Sequence, residues 1–169
     1  MDLKFEVSAR IDRPVETVFE AMANPDQLKQ YFATGKDTSG RLKTGATVYW
    51  SFHDYDGEAF PVEVVEVEEN RRIILKWEAY EPSDLKEGEA ADPHCAPHAA
   101  TNYLTTVTIR FEPLEDNTRT LVSIAEEGWR QTAAGLQGSY GNCFGWTQML
   151  CCLKAWTEHG INLRESFFN

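Results

Sequence analysis

The sequence predicts an α+β domain in which a curved antiparallel sheet of six or seven strands carries two short helices and is closed over by one long C-terminal helix. Leu3, Phe5, Val7, Ala9 and Ile11 alternate with Lys4, Glu6, Ser8 and Arg10, the period of two of a strand with one buried face. Further alternating segments follow one another between turn residues, so a meander is the simplest topology. Near the C-terminus, Trp146, Met149, Leu150, Leu153, Trp156 and Thr157 fall on one stripe at helical spacing.

Pro14 suits a helical first turn, and Val15, Val18, Phe19 and Met22 recur at helical spacing until Asn24-Pro25 stops the run. Asp26 to Phe32 reads as a second short helix, with Asn24 or Asp26 as its cap. In the next strand Val48, Trp50 and Phe52 take one face and Tyr49, Ser51 and His53 the other, and Asp56-Gly57 is a strong hairpin signal. Val62 and Val64 change phase to Val65 and Val67, which points to a β-bulge or to burial on both faces. Ile73, Leu75, Trp77 and Ala79 form another buried face, then Tyr103, Thr105, Val107, Ile109 and Phe111, with Glu115-Asp116-Asn117 turning into Thr118 to Glu127. Between these strands, residues 81–102 carry Pro82, Pro93 and Pro97 among acidic and small residues, and read as a long exposed loop. The terminal helix reads as running from Tyr140 to Phe167, softened at Gly160, with the glycine-rich stretch from Gly135 to Gly145 as a hinge leading into it.

No internal repeat or second composition zone is visible, so residues 1–169 read as a single domain. Nine Phe, six Tyr and five Trp supply a core that can also line a cavity. The net charge of −11 repels phosphate backbones and anionic headgroups, and Arg71-Arg72 is the one adjacent basic pair, which argues against nucleic acid. No apolar run is long enough for a bilayer span or a signal peptide, so a cytoplasmic protein with reduced thiols, monomeric or homodimeric, is expected.

Residues 9–22, Ala9-Arg10-Ile11-Asp12-Arg13-Pro14-Val15 through Phe19-Glu20-Ala21-Met22, continue into Asn24-Pro25-Asp26-Gln27-Leu28 and Tyr31-Phe32. Arg72-Ile73-Ile74-Leu75-Lys76-Trp77, Glu126-Glu127-Gly128-Trp129 and Gly145-Trp146 with Leu150 and Leu153 follow. Together these resemble proteins related to the activator of the heat-shock-protein-90 ATPase, within the START-like, or SRPBCC, superfamily. The resemblance spans residues 5–157 and implies the helix-grip (START-like, Bet v 1-like) fold. The chain departs from the family at Tyr31, where Trp is usual, and in the long Pro-rich loop. Superfamily members bind lipids, hormones or polyketides and a few catalyse cyclisation, so the fold alone leaves function open.

Phe32, Trp50, Phe52, Trp77, Tyr103, Phe144, Trp146, Leu150 and Leu153 are the expected lining of an apolar cavity between sheet and helix. The alternative is that they simply pack. Asp92, His94, Cys95 and His98 lie close together, but their spacing matches no standard metal-ligand pair, and no metal or other cofactor is expected. Cys143 and Cys151 lack a His at helical spacing to activate them. His53, Tyr80 and Glu126 are the candidates for acid–base work, although the inward positions read as nearly all apolar, and no catalytic residue is assigned. The leading expectation is a binding protein for a small hydrophobic molecule. A co-chaperone-like domain that docks on a chaperone or other protein is the alternative, and a small cyclase-like enzyme acting on a polyketide or aromatic substrate is the second.

Overall fold

Alternation at the N-terminus makes strand β1 (Leu3–Ile11), with its odd positions turned inward. The computed structural model describes residues 2–53, 58–82 and 98–167. After Pro14, helix α1 (Val15–Ala23) buries Val15, Val18, Phe19 and Met22 and ends at Asn24. The Asn24 side chain then accepts from the Asp26 amide at 2.9 Å and caps α2 (Pro25–Leu28). This helix is shorter than its apolar spacing suggests. Beyond Leu28 the chain continues in turns that still bury Tyr31 and Phe32, and the Tyr31 hydroxyl donates to the Ala21 carbonyl at 3.1 Å.

The remaining strands are β2 (Thr47–Ser51), β3 (Ala59–Glu68), β4 (Arg72–Pro82), β5 (His98–Leu114) and β6 (Arg119–Trp129). Among the described residues they form a six-stranded sheet ordered β1-β6-β5-β4-β3-β2, with every neighbouring pair antiparallel. The meander therefore runs from β2 to β6, and β1 closes the far edge with Val7 opposite Ile124. The phase change among the valines is a β-bulge: pairing with β4 slips between Val64 and Glu66, and Val65 turns outward.

Two expectations are corrected at the C-terminal helix. Helix α3 spans Ala133–His159, so the glycines from 135 to 145 are its first turns and not a hinge before it. Thr132 caps it, its hydroxyl accepting from the Gly135 amide at 3.0 Å. The helix stops at Gly160, whose φ of 67° and ψ of 25° place it in the left-handed region that glycine occupies without strain. Ile161 and Leu163 consequently fall outside the helical stripe and are exposed.

The supposed loop at 81–102 is also partly strand, because Glu81 and Pro82 belong to β4 and residues 98–102 to β5. Its middle, and the Asp56-Gly57 turn, lie outside the described residues.

Helix α3 lies on the concave side of the sheet against β1, β4 and β6. Between them sit Ile11, Ile73, Leu75, Val107, Ile109, Val122, Ile124, Met149 and Leu153, none more than 1% exposed. Each such side chain contributes about 1.5–3 kcal/mol by leaving water. No helix among the described residues is long and apolar enough to cross a membrane.

Candidate functional site

On β6 the even positions face α3, and Thr120, Val122, Ile124 and Glu126 are all buried, Glu126 at 0% exposure. A carboxylate thus continues an apolar register into the core. Its Oε1 accepts from Thr105 Oγ1 at 2.6 Å, Trp77 Nε1 at 3.0 Å and Asn142 Nδ2 at 3.0 Å, and its Oε2 accepts from Trp146 Nε1 at 2.9 Å and Asn142 Nδ2 at 3.1 Å. Burial pushes its pKa above the ordinary value, while the donors from Thr105, Trp77, Trp146 and Asn142 pull the other way. Indole and amide N–H groups only donate, so a proton on Glu126 finds an acceptor in this shell only if the Thr105 hydroxyl or the Asn142 amide turns around. The acceptor capacity of the carboxylate is taken up by the protein's own donors. Its evident work is to hold Trp77, Trp146 and Asn142 in place.

Those two tryptophans belong to an aromatic floor. Phe32 stacks on Trp146 at 5.7 Å and meets Trp50 and Phe52 edge-on at 5.6 and 5.2 Å, and Trp77 lies 5.3 Å from Trp146. Leu150 and Leu153 are buried on the same helix. The other two residues of the expected lining stand differently. Phe144 is 39% exposed on α3. Tyr103 gives its hydroxyl proton to Glu81 Oε1 at 2.5 Å and lies under the Arg130 guanidinium, 4.3 Å from the ring centre.

One flank of α3 is bare backbone. A Cβ added at Gly138 would lie 2.7 Å from the Tyr80 carbonyl oxygen and 2.9 Å from the Trp129 ring, so only glycine lets helix and sheet approach there. A Cβ at Gly141 or Gly145 would meet nothing within 4 Å among the described residues. From Tyr80 the contacts pass to Phe60, edge-on at 5.3 Å, and from Phe60 to Phe52 at 6.1 Å. The Arg164 guanidinium covers Phe52 at 4.8 Å, and its Nη1 donates to Gln148 Oε1 on α3 at 3.2 Å. The chain of contacts returns to the helix at Gln148, three residues beyond Gly145. Gln148 is 5% exposed, yet its Nε2 has no hydrogen-bond partner among the described residues.

The other candidates separate from this region. His53 is exposed, with its Nδ1 2.6 Å from Thr34 Oγ1. Tyr80 belongs to the chain of contacts, and its hydroxyl pKa is raised by partial burial. The cluster at Asp92, His94 and Cys95 lies outside the described residues, and no group of His, Cys, Asp and Glu able to hold a metal occurs among the described ones. A groove of about 540 Å³ runs between α1 and α3, lined by Glu16, Glu20, Gln27 and Trp156. Its carboxylates are already engaged, Glu20 by Arg41 and Glu16 by Asn117, and the Gln27 side-chain oxygen accepts from Trp156.

Sequence reading missed Glu126 as an inward group because carboxylates signal surface. The signal that finds it is the phase of its strand, since Val122 and Ile124 fix the face that Glu126 shares.

The family model described as Activator of Hsp90 ATPase homolog 1-like protein matches residues 12–158. Among solved structures, a protein from Staphylococcus saprophyticus is 25% identical with a TM-score of 0.69, covering 96% of each chain. The Aha1 dimer from Colwellia psychrerythraea is 19% identical with a TM-score of 0.65, covering 94% of this chain and 98% of that one. DynU16, from the dynemicin biosynthetic locus, is 20% identical with a TM-score of 0.69, covering 95% of this chain and 49% of that one. No curated protein matches the sequence significantly.

Proposed function

Since the chain belongs to the family of Activator of Hsp90 ATPase homolog 1-like proteins, we propose that it binds a small hydrophobic ligand between α3 and the sheet. The observation that carries this reading is the open backbone at Gly141 and Gly145, which meets no other described residue, on a helix that contacts Tyr80 at Gly138 and Arg164 at Gln148. A flat aromatic or polyketide-like molecule fits such a slot, because it stacks on Phe and Trp faces at low entropic cost. The likeness in fold to a protein of a natural-product locus is in keeping with that ligand class. The Glu126 network contributes by fixing the rings, so little of the binding free energy goes into ordering them.

Native mass spectrometry of protein purified from its own cells tests the proposal, together with thermal denaturation in the presence of aromatic polyketides. A retained mass of a few hundred daltons, or a raised midpoint that Gly145→Trp abolishes, supports it. A bare chain whose midpoint no candidate shifts overturns it. A protein-partner role has one observation behind it, the net charge of −11. Stimulation of a purified chaperone ATPase, lost on raising salt, is its test.

A further inference from the structure

We propose that β1 is a docking edge for a second copy of this chain, two β1 strands pairing antiparallel about a two-fold axis at Phe5. Among the described residues β1 has β6 on one side and no strand on the other. Along such an edge, successive residues direct their N–H and C=O groups alternately toward the neighbouring strand and away from it. The Arg10 carbonyl accepts from Lys154 Nζ at 2.9 Å and the Asp12 amide donates to Glu158 Oε1 at 2.7 Å, so α3 serves even-numbered groups from the side away from β6. Lys4, Glu6 and Ser8 direct their groups the same way, and among the described residues no side chain meets them and no turn or loop backbone does. The apolar face is also incomplete here. Phe5, Val7 and Ala9 are only partly buried, whereas Val122 and Ile124 on β6 are 0% exposed. One added strand would extend both the ladder and the apolar face.

The charges on the outward face select the occupant and the register. The open groups belong to even-numbered residues, so in a two-fold pair of identical strands these must stand opposite one another. An axis at Lys4 sets Lys4 against Lys4, one at Glu6 sets Glu6 against Glu6, and one at Val7 sets Lys4 against Arg10. Like charges directly opposite are destabilising. An axis at Ser8 sets Glu6 against Arg10 but calls on the Arg10 carbonyl and the Asp12 amide, which α3 already engages. An axis at Phe5 sets Lys4 of each copy opposite Glu6 of the other and leaves Arg10 outside the pairing. Glu6 is available for this, since its ion pair with Arg110 is long, 3.9 Å, and both side chains are more than half exposed. On the inward face the same register brings Phe5 onto Phe5 and Leu3 onto Val7, at the non-hydrogen-bonded positions where side chains come closest. The net charge of −11 opposes the approach of two copies, so the dimer is weak and depends on concentration.

Analytical ultracentrifugation of the full chain, from micromolar to millimolar concentration, reads the association. The wild type is expected to pass from monomer to dimer mass over that range. Lys4→Glu and Glu6→Lys each set like charges opposite one another on both sides of the axis, and each should hold the chain monomeric. Mixing the two variants, or combining both changes in one chain, restores opposite charges and should restore the dimer. Both positions are exposed, and an unchanged thermal midpoint shows that each variant is folded. A wild type that stays monomeric throughout overturns the proposal. A dimer that survives both single variants overturns it too, because that dimer forms through another face, and so does a combined variant that associates no better than the single ones.

Discussion

The indole N–H of Trp146 on α3 donates at 2.9 Å to Glu126 on β6, a carboxylate with no exposed surface. Helix and sheet are joined there by a charged acceptor shared among neutral donors. Removing it leaves those donors buried and unmet. Glu126→Ala is therefore expected to lower stability by about 3 kcal/mol, seen as a fall of about 6–12 °C in the thermal midpoint. Trp146→Phe, which keeps an aromatic ring but loses one donor and part of the indole's buried volume, should cost about 1–3 kcal/mol. A Glu126→Ala midpoint equal to that of the wild type would refute the role given to this network.

The same carboxylate should make stability respond to pH in the unusual direction. Burial raises its folded-state pKa above the ordinary 4.5, so the folded chain holds that proton more tightly than the unfolded one. The ionised form costs stability above the raised pKa, and the cost is lifted as the pH falls through it toward 4.5. Asp12, Glu16 and Glu20 act oppositely, being held below their ordinary values by hydrogen bonds from Arg119, Asn117 and Arg41. Their contribution is lost as the pH drops through those lowered values. Glu126→Gln removes only the first effect, so the wild type should gain in midpoint relative to the variant as the pH falls through the raised pKa toward 4.5. A gap independent of pH would contradict the raised pKa.

Three glycines on one helix should answer differently to the same substitution. Gly141→Ala and Gly145→Ala have room for a methyl group and should each stabilise α3 by about 0.5–1 kcal/mol. Gly138→Ala pushes a methyl onto the Tyr80 carbonyl and the Trp129 ring, and should cost about 1–3 kcal/mol. Chemical denaturation of the three variants gives the signs directly. A common sign would overturn the close approach at Gly138.

The adjacent cysteines should also part. Cys151 is exposed, whereas burial pushes the Cys152 thiol up to about 11. Iodoacetamide at mildly alkaline pH should modify Cys151 in the folded protein and spare Cys152 until denaturant is added. Peptide mapping reads the outcome, and equal labelling of both would place the helix wrongly.

Much of this fold is legible in the sequence because its strands bury one face. The alternation at Leu3–Ile11, the inward Val48, Trp50 and Phe52, and the phase slip after Val64 all survive into the structure. The start of α3 was hidden because four glycines at 135, 138, 141 and 145 weaken any helical signal, and what keeps Gly138 there is the nearness of Tyr80, which no local pattern records. The end was blurred because Ile161 and Leu163 prolong the apolar spacing past the left-handed Gly160. At the candidate site the floor residues Phe32, Trp50, Phe52, Trp77 and Trp146 were legible as apolar, whereas the pairing of Gln148 with Arg164 depends on how the chain returns after the helix.

The placement of β1 beside β6 has a consequence for how the chain reaches this structure. Residues 3–11 are made well before the strand they pair with, Val7 finding Ile124. The meander from β2 to β6 can assemble from neighbour to neighbour, but the sheet edge waits on a closure that spans the whole meander. Until then an amphipathic strand stands unpaired on a nascent chain, the condition under which strands add to the wrong partner. Synthesis rate and early chaperone contact should therefore govern the yield of this protein more than the stability of its finished core.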